Sequence, residues 1–93
     1  MLVTLRQLQY AVSVAETGSF SKAAESCFAD QSTVSQQVKI LEDRLGVQIF
    51  KRNRYPLKLT VEGEEIVLQA REILSKVEEL IGPFKEGSKN SNL

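Results

Sequence analysis

The chain is 93 residues long and 42% of its residues are hydrophobic, which is enough for one small domain with a core but excludes a two-domain enzyme. It has one cysteine, Cys27, and no histidine, so an internal disulfide is excluded and metal, haem or redox cofactors have almost no ligands. The same inventory lacks the residues of a Ser-His-Asp or Cys-His nucleophile. We therefore expect no enzyme activity and no cofactor. Without an apolar run of membrane-spanning length or an export signal, we expect a cytoplasmic protein.

The formal net charge is zero, but the charges are unevenly distributed along the chain. Residues 1 to 60 carry eight Lys or Arg against five acids, whereas residues 61 to 93 carry four against seven. Four of the basic residues, with no acid between them, fall within one short stretch: Lys51, Arg52, Arg54 and Lys58. The sequence therefore predicts a basic segment in one place and an acidic helix surface in another.

Two helices are predicted at the start of the chain. Thr4 and Gln7 have the spacing of a capping box, and apolar residues then recur at helical spacing, which predicts a helix over residues 5 to 17. After a Gly-Ser-Phe turn, Ser21 is predicted to cap a short second helix that ends near Phe28.

A third helix is predicted over residues 31 to 45, with Asp30 as its N-cap and its side chain directed at the helix amides. Apolar residues at steps of four, three and four form a narrow core stripe: Val34, Val38, Leu41 and Leu45. The opposite face is polar and compact: Ser32, Ser35, Gln36 and Lys39.

The segment between residues 47 and 60 is predicted to be a β-hairpin with a basic tip around residues 53 to 56. A last helix begins at Thr60 or Val61 and is expected to weaken at Gly82 and Pro83. Its apolar residues follow a heptad seam: Ile66, Ala70, Ile73, Val77, Leu80 and Phe84. A second apolar row widens this face beyond what a small core covers, which predicts a homodimer through this helix.

Two short helices joined by a tight turn, followed at once by a basic hairpin, have the order of a winged helix-turn-helix. A helix face with small Ser side chains and Gln amides suits entry into a DNA major groove, and arginines at a hairpin tip suit a minor groove. Each feature also has a simpler interpretation, since polar helix faces and basic loops can merely be solvated. Their combination favours DNA.

The run AETGSFSKAAESCFADQSTVSQQVKILEDRLGVQIFKR, continuing to KLTVEG, resembles the N-terminal domain of LysR-type transcriptional regulators, over about residues 3 to 86. The resemblance rests on Ala23 with Ala24, Gln31, Ser35 and Gln37, the LEDRLG run, Phe50 with Arg52, and Leu59-Thr60 before Gly63. It implies a mainly α fold: a three-helix core with a two-stranded wing, followed by a long linker helix that dimerises.

The resemblance further implies that Gln31, Ser32, Ser35 and Gln36 face bases or nearby phosphates and that Arg52 enters the minor groove. With the rest of the polar face and the hairpin tip, the predicted DNA-contacting residues are Gln31, Ser32, Thr33, Ser35, Gln36, Lys39, Arg52 and Arg54. Gln37 faces either DNA or a neighbouring helix.

This chain departs from the family pattern at several of these positions. Asp30 and Ser32 stand where the family usually has Ser and Pro, and Gln36 stands where many members have Arg, which favours adenine over guanine. Arg54 comes one position earlier than the usual second arginine of the wing.

The predicted division is a winged helix-turn-helix over residues 1–60, a linker and dimerisation helix over 61–86, and a disordered tail over 87–93. The predicted function is sequence-specific binding of double-stranded promoter DNA, as a bacterial homodimer at the nucleoid, with an inverted-repeat site. No membrane and no small-molecule ligand are expected for this chain, and the family's usual effector domain is expected to be absent from it. The alternative is a helical protein-interaction module whose basic hairpin only solubilises; an enzyme is a remote third option.

Overall fold

The computed structural model describes residues 2–85; the predicted tail over 87–93 lies outside this range. Within these residues, four helices and a two-stranded antiparallel sheet follow one another, and Phe50 lies opposite Leu59 in the sheet. The elements are α1 (Leu5–Thr17), α2 (Phe20–Ser26), α3 (Gln31–Leu45), β1 (Phe50–Lys51), β2 (Lys58–Leu59) and α4 (Val61–Lys85). No helix within this described part is both long and apolar enough to cross a membrane.

The start of α1 is closed by the predicted capping box. The backbone N–H of Gln7 donates to the Thr4 hydroxyl at 3.1 Å, and the backbone N–H of Thr4 donates to Oε1 of Gln7 at 3.0 Å. Both reciprocal bonds use donors that the helix itself leaves unpaired, so the local sequence alone determines where α1 begins.

One predicted helix cap is wrong, and a second is confirmed in its position but not in the role of its side chain. The residue that caps α2 is Ser19, whose hydroxyl accepts the N–H of Lys22 at 3.1 Å; Ser21 already lies inside the helix, because α2 begins at Phe20. Asp30 precedes α3 in the N-cap position, but its side chain makes no capping hydrogen bond. Its carboxylate is exposed, so water can satisfy it instead.

The helix α4 also differs from expectation, since it continues through Pro83 to Lys85 instead of weakening at Gly82. Its first half is part of the domain core, because Val67 and Ala70 are only 3% and 1% exposed. The core of the winged helix-turn-helix therefore extends beyond the predicted boundary at residue 60. The largest fully buried side chains are Phe50, Leu41, Ile49, Val14, Val34 and Val38.

The start of α4 lies directly against the strand segment that leads into β1. The Thr60 hydroxyl donates to the carbonyl of Gln48 at 2.6 Å and accepts the N–H of Gly63 at 2.8 Å, while the Thr60 N–H donates to the carbonyl of Ile49 at 2.9 Å. A Cβ atom at Gly63 would collide with the backbone carbonyl group of Ile49. Glycine is required here because two backbones approach closely, and this approach fixes α4 against the hairpin.

We expect Gly63→Ala to lower the free energy of unfolding by about 1–3 kcal/mol, because the added methyl group pushes α4 away from Ile49. Gly82→Ala is the matched control, since it makes the same change in the same helix with nothing within 4 Å of the new atom. There, the helix propensity of alanine should leave stability unchanged or raise it by up to about 1 kcal/mol. Urea unfolding followed by circular dichroism measures the stability of both variants. Equal changes in the free energy of unfolding would contradict the close approach of Gly63 to the backbone of Ile49.

Candidate nucleic-acid interface

The polar face of α3 is on the surface of the protein, as the sequence pattern predicts. The helix is held against the core by Val34, Val38 and Leu41, which are fully buried. Leu45, the fourth residue of the predicted core stripe, is 42% exposed at the end of the helix, so the prediction was wrong for this residue. The predicted contact residues lie away from this stripe: Gln31, Ser32, Gln36 and Lys39 are exposed, and Thr33 and Ser35 are half-buried. A partner that approaches α3 from solvent therefore meets short polar side chains first.

Gln37 does not belong to this face. Its Oε1 accepts a hydrogen bond of 3.0 Å from Nε2 of Gln7, whose side chain on α1 is buried. Of the two interpretations of Gln37, the structure supports contact with a neighbouring helix. The pair links α1 to α3 and satisfies polar groups at the edge of the core.

Lys39 lies on the exposed face within reach of Asp43, one helical turn further along, at 3.2 Å. Both side chains are about two-thirds exposed, at 65% and 64%. Exposed pairs of this kind contribute less than about 1 kcal/mol, so the Lys39 ammonium can readily exchange Asp43 for a phosphate.

In the wing, Arg52 is turned back toward the helices. Its Nη1 lies 3.0 Å from Oε2 of Glu42 and its Nη2 lies 2.9 Å from Oε1, while the guanidinium sits over the ring of Phe20, 5.5 Å from the ring centroid. These contacts join the end of β1 to α3 and α2. In this conformation the guanidinium of Arg52 is paired within its own chain, while the side chain remains 34% exposed at the surface.

Glu42 is the residue that sequence reasoning missed. Its side chain is 4% exposed on α3, and Oε2 also accepts the backbone N–H groups of Ile49 at 2.7 Å and Phe50 at 3.2 Å. The other oxygen, Oε1, has the ion-pair contact with Arg52 but no hydrogen bond of good geometry. An acid on the core side of an otherwise apolar helix stripe is the one signal in the sequence that pointed to a buried charge.

Arg54 lies in the turn between β1 and β2 and is exposed. Within residues 2–85 it forms no ion pair. The base of the turn is attached to the helices, because the N–H of Leu57 donates to the carbonyl of Gly18 at 2.9 Å. Of the two predicted wing arginines, Arg54 is thus the one whose charge is free for a partner.

The predicted seam on α4 divides into two parts. Ala70 is buried and Ile66 is packed against the core, so these two residues serve the fold of their own chain. Further along, Ile73, Leu80 and Phe84 are 43%, 68% and 72% exposed, and Val77 is half-buried. An apolar strip without cover in the single chain therefore begins near Ile73.

One protein family matches the part of the chain that contains the helix-turn-helix, the wing and the start of α4. The protein-family model described as "Bacterial regulatory helix-turn-helix protein, lysR family" matches residues 5–64 of the sequence. The chain belongs to the LysR family. The predicted family and the predicted winged-helix fold are both confirmed.

Among curated LysR-type relatives, the chain is 43% identical over 75 residues to the HTH-type transcriptional activator AllS of Klebsiella pneumoniae, a match that covers 81% of this chain and 28% of AllS. It is 51% identical over 69 residues to a probable nitrogen assimilation transcriptional activator of Synechococcus elongatus, covering 74% of this chain and 22% of that protein. The chain thus spans about a quarter of the length of these relatives, which are transcriptional regulators.

A solved LysR-type structure also resembles the chain. The DNA-binding domain of BenM, from a transcriptional regulator of Acinetobacter baylyi, was crystallised in complex with benA site 1 DNA. It superimposes with a TM-score of 0.84 at 37% identity, over 90% of this chain and 94% of that one. The whole described arrangement, including the projecting α4, is therefore that of a LysR DNA-binding domain.

In this LysR-type domain we expect Glu42→Gln to lower the free energy of unfolding by about 2–3 kcal/mol. The buried backbone donors of β1 lose a charged acceptor, and Arg52 loses its counter-charge. The neighbouring Asp43→Asn removes an exposed carboxylate and should cost less than about 1 kcal/mol. Urea unfolding compares the two, and amide chemical shifts of Ile49 and Phe50 should move only in Glu42→Gln. A similar loss of stability in both variants would show that the buried contacts of Glu42 stabilise the fold no more than the exposed ion pair of Asp43 does.

Proposed function

We propose that this chain is a sequence-specific DNA-binding domain of a bacterial LysR-type transcriptional regulator and acts as a homodimer on double-stranded promoter DNA. The observation that carries the proposal is the joint exposure of the polar α3 face and of Arg54 in the wing. The likeness to a LysR-type domain crystallised with DNA supports it. Such a protein works at the nucleoid, in the bacterial cytoplasm.

In this proposal, the exposed face of α3 enters the major groove. Gln31 and Gln36 present amides that both donate and accept hydrogen bonds, which suits adenine. Ser32 and Ser35 are short enough to let the helix backbone approach the base edges. Thr33, which is half-buried at the edge of this face, and Lys39, which follows Ser32 two turns along the helix, are assigned to the phosphates.

The wing contributes through its two arginines in different ways. Arg54 is assigned to the minor groove, because it forms no ion pair within residues 2–85 and narrow A·T-rich grooves attract a guanidinium. Arg52 holds the wing in place through Glu42, and its side chain, which remains 34% exposed, is also available to DNA at the surface. We therefore assign it first to positioning the wing and second to the groove.

The exposed part of α4 is assigned to the dimer. Ile73, Leu80 and Phe84 follow each other at steps of seven and four, which places them on one side of the helix, and Val77 lies between them. A twofold dimer through this strip presents two copies of α3 and two wings, which suits an inverted-repeat site.

The alternative, a protein-interaction module without DNA recognition, explains the apolar strip on α4 but leaves the polar α3 face and the free arginine of the wing without a role. A catalytic role is not proposed, since the relatives are regulators and the chain offers no imidazole or activated nucleophile.

The proposed function is tested by selecting bound duplexes from a random library with the purified chain and titrating the selected duplex against salt. We expect an inverted repeat whose affinity falls steeply with salt, and in Arg54→Ala a weaker affinity with a salt slope smaller by about one. Lys76→Ala on α4, 80% exposed, removes one positive charge outside the proposed interface and serves as control. Enrichment of no sequence, with weak binding even at low salt, would refute DNA recognition.

The dimer is tested with Leu80→Asp, which places a charge in the apolar strip and should convert dimers to monomers in sedimentation equilibrium. Val61→Asp is the control, because Val61 is 82% exposed at the start of α4 and outside the strip, where an acid is favourable. The winged-helix fold should persist in both variants by circular dichroism. If Leu80→Asp remained dimeric, the assigned strip would be wrong.

A further inference from the structure

One side chain in the turn between α2 and α3 stands out by its exposure. Phe28 is 98% exposed, more than any other large apolar residue within residues 2–85. A phenylalanine in water contributes nothing to the core, so its presence here has no explanation in packing.

The backbone at Phe28 makes this exposure more unusual. Its φ is 55°, in the left-handed region, and its N–H donates to the carbonyl of Glu25 at 3.3 Å while the N–H of Ala29 donates to the carbonyl of Ala24 at 2.9 Å. These two bonds form the motif that commonly ends a helix and that usually takes glycine at this position. Glycines do occupy the corresponding left-handed positions after α1 and α3, at Gly18 and Gly46.

Phe28 therefore occupies a position where glycine would relieve backbone strain, and it buries nothing in return. Strain of this kind persists where the surrounding structure holds it, and it is concentrated at functional sites. A role outside the isolated chain is the remaining physical reason for a large ring at this position.

The location of the ring points to the partner. Phe28 lies three residues before Gln31, where α3 begins with its exposed polar face. Between residues 20 and 40 no other large apolar side chain is exposed. A protein-docking surface would need a contiguous apolar patch, whereas a single ring beside polar side chains suits the isolated apolar edges of DNA.

We propose that Phe28 is a further DNA-contacting residue, whose ring packs against an apolar edge of the duplex beside the bases read by α3. The chemistry of that edge is a thymine methyl group or the carbons of a deoxyribose. This inference rests on the proposed function, because it continues the same DNA-facing surface into the turn.

The test compares the full 93-residue chain with Phe28→Gly on a duplex selected by the unchanged chain. We expect the affinity of Phe28→Gly to be lower by about tenfold, while its urea midpoint stays equal or rises because glycine suits the left-handed backbone. Phe28→Tyr keeps a ring at the same position and should bind nearly as tightly as the unchanged chain.

Replacing thymine by deoxyuridine in the duplex distinguishes the two edges. If deoxyuridine weakens binding by the unchanged chain but not by Phe28→Gly, the ring contacts the methyl group of thymine. If deoxyuridine changes the affinity of both chains equally, and Phe28→Gly still binds more weakly than the unchanged chain, the ring contacts the deoxyribose.

Equal affinity of Phe28→Gly and the unchanged chain, with the unchanged chain still selecting a duplex, would overturn this inference and leave the proposed function standing. A fall in the urea midpoint that accompanies the affinity loss would overturn it too, since the ring would then serve folding. If the unchanged chain selects no duplex at all, both proposals fail together.

Discussion

The buried carboxylate of Glu42 is the group on which the position of the wing relative to α3 depends. It lies on α3, accepts two backbone N–H groups at the entry to β1, and pairs with Arg52 at the end of that strand. A carboxylate in the interior is tolerated only when its charge and lone pairs are matched. Any shift of β1 along α3 would uncover that charge, so the two elements move as one.

A second constraint is that α4 belongs to the core in its first half and is exposed in its second half. Its first half packs into the core through Val67 and Ala70, and Gly63 lets its start lie directly on the backbone of Ile49. Its second half carries the exposed apolar strip that begins at Ile73. Because one continuous helix spans both parts, the direction in which a second chain would dock is tied rigidly to the orientation of α3. In the proposed dimer, the spacing between the two DNA-facing units thus depends on this helix.

The sequence by itself determined the local features of the protein. The ends of α1 and α3 were predicted correctly, because the Thr4–Gln7 capping box and the terminating glycines act over three or four residues. The polar face of α3 and the basic turn of the wing were also readable, since both follow from simple periodicity. Even locally, competition among several serines misled the prediction, and Ser19 rather than Ser21 caps α2.

Only the tertiary structure decided which polar side chains pair with one another within the chain. The partners of Gln37 and Arg52 are Gln7 and Glu42, thirty and ten residues away in the chain, and no local pattern indicates them. The seam on α4 reads as one continuous row, yet its first members are buried in the chain's own core and its later members are exposed. Periodicity defines a face of a helix, but the packing of other elements against that face determines where it is covered and where it ends free.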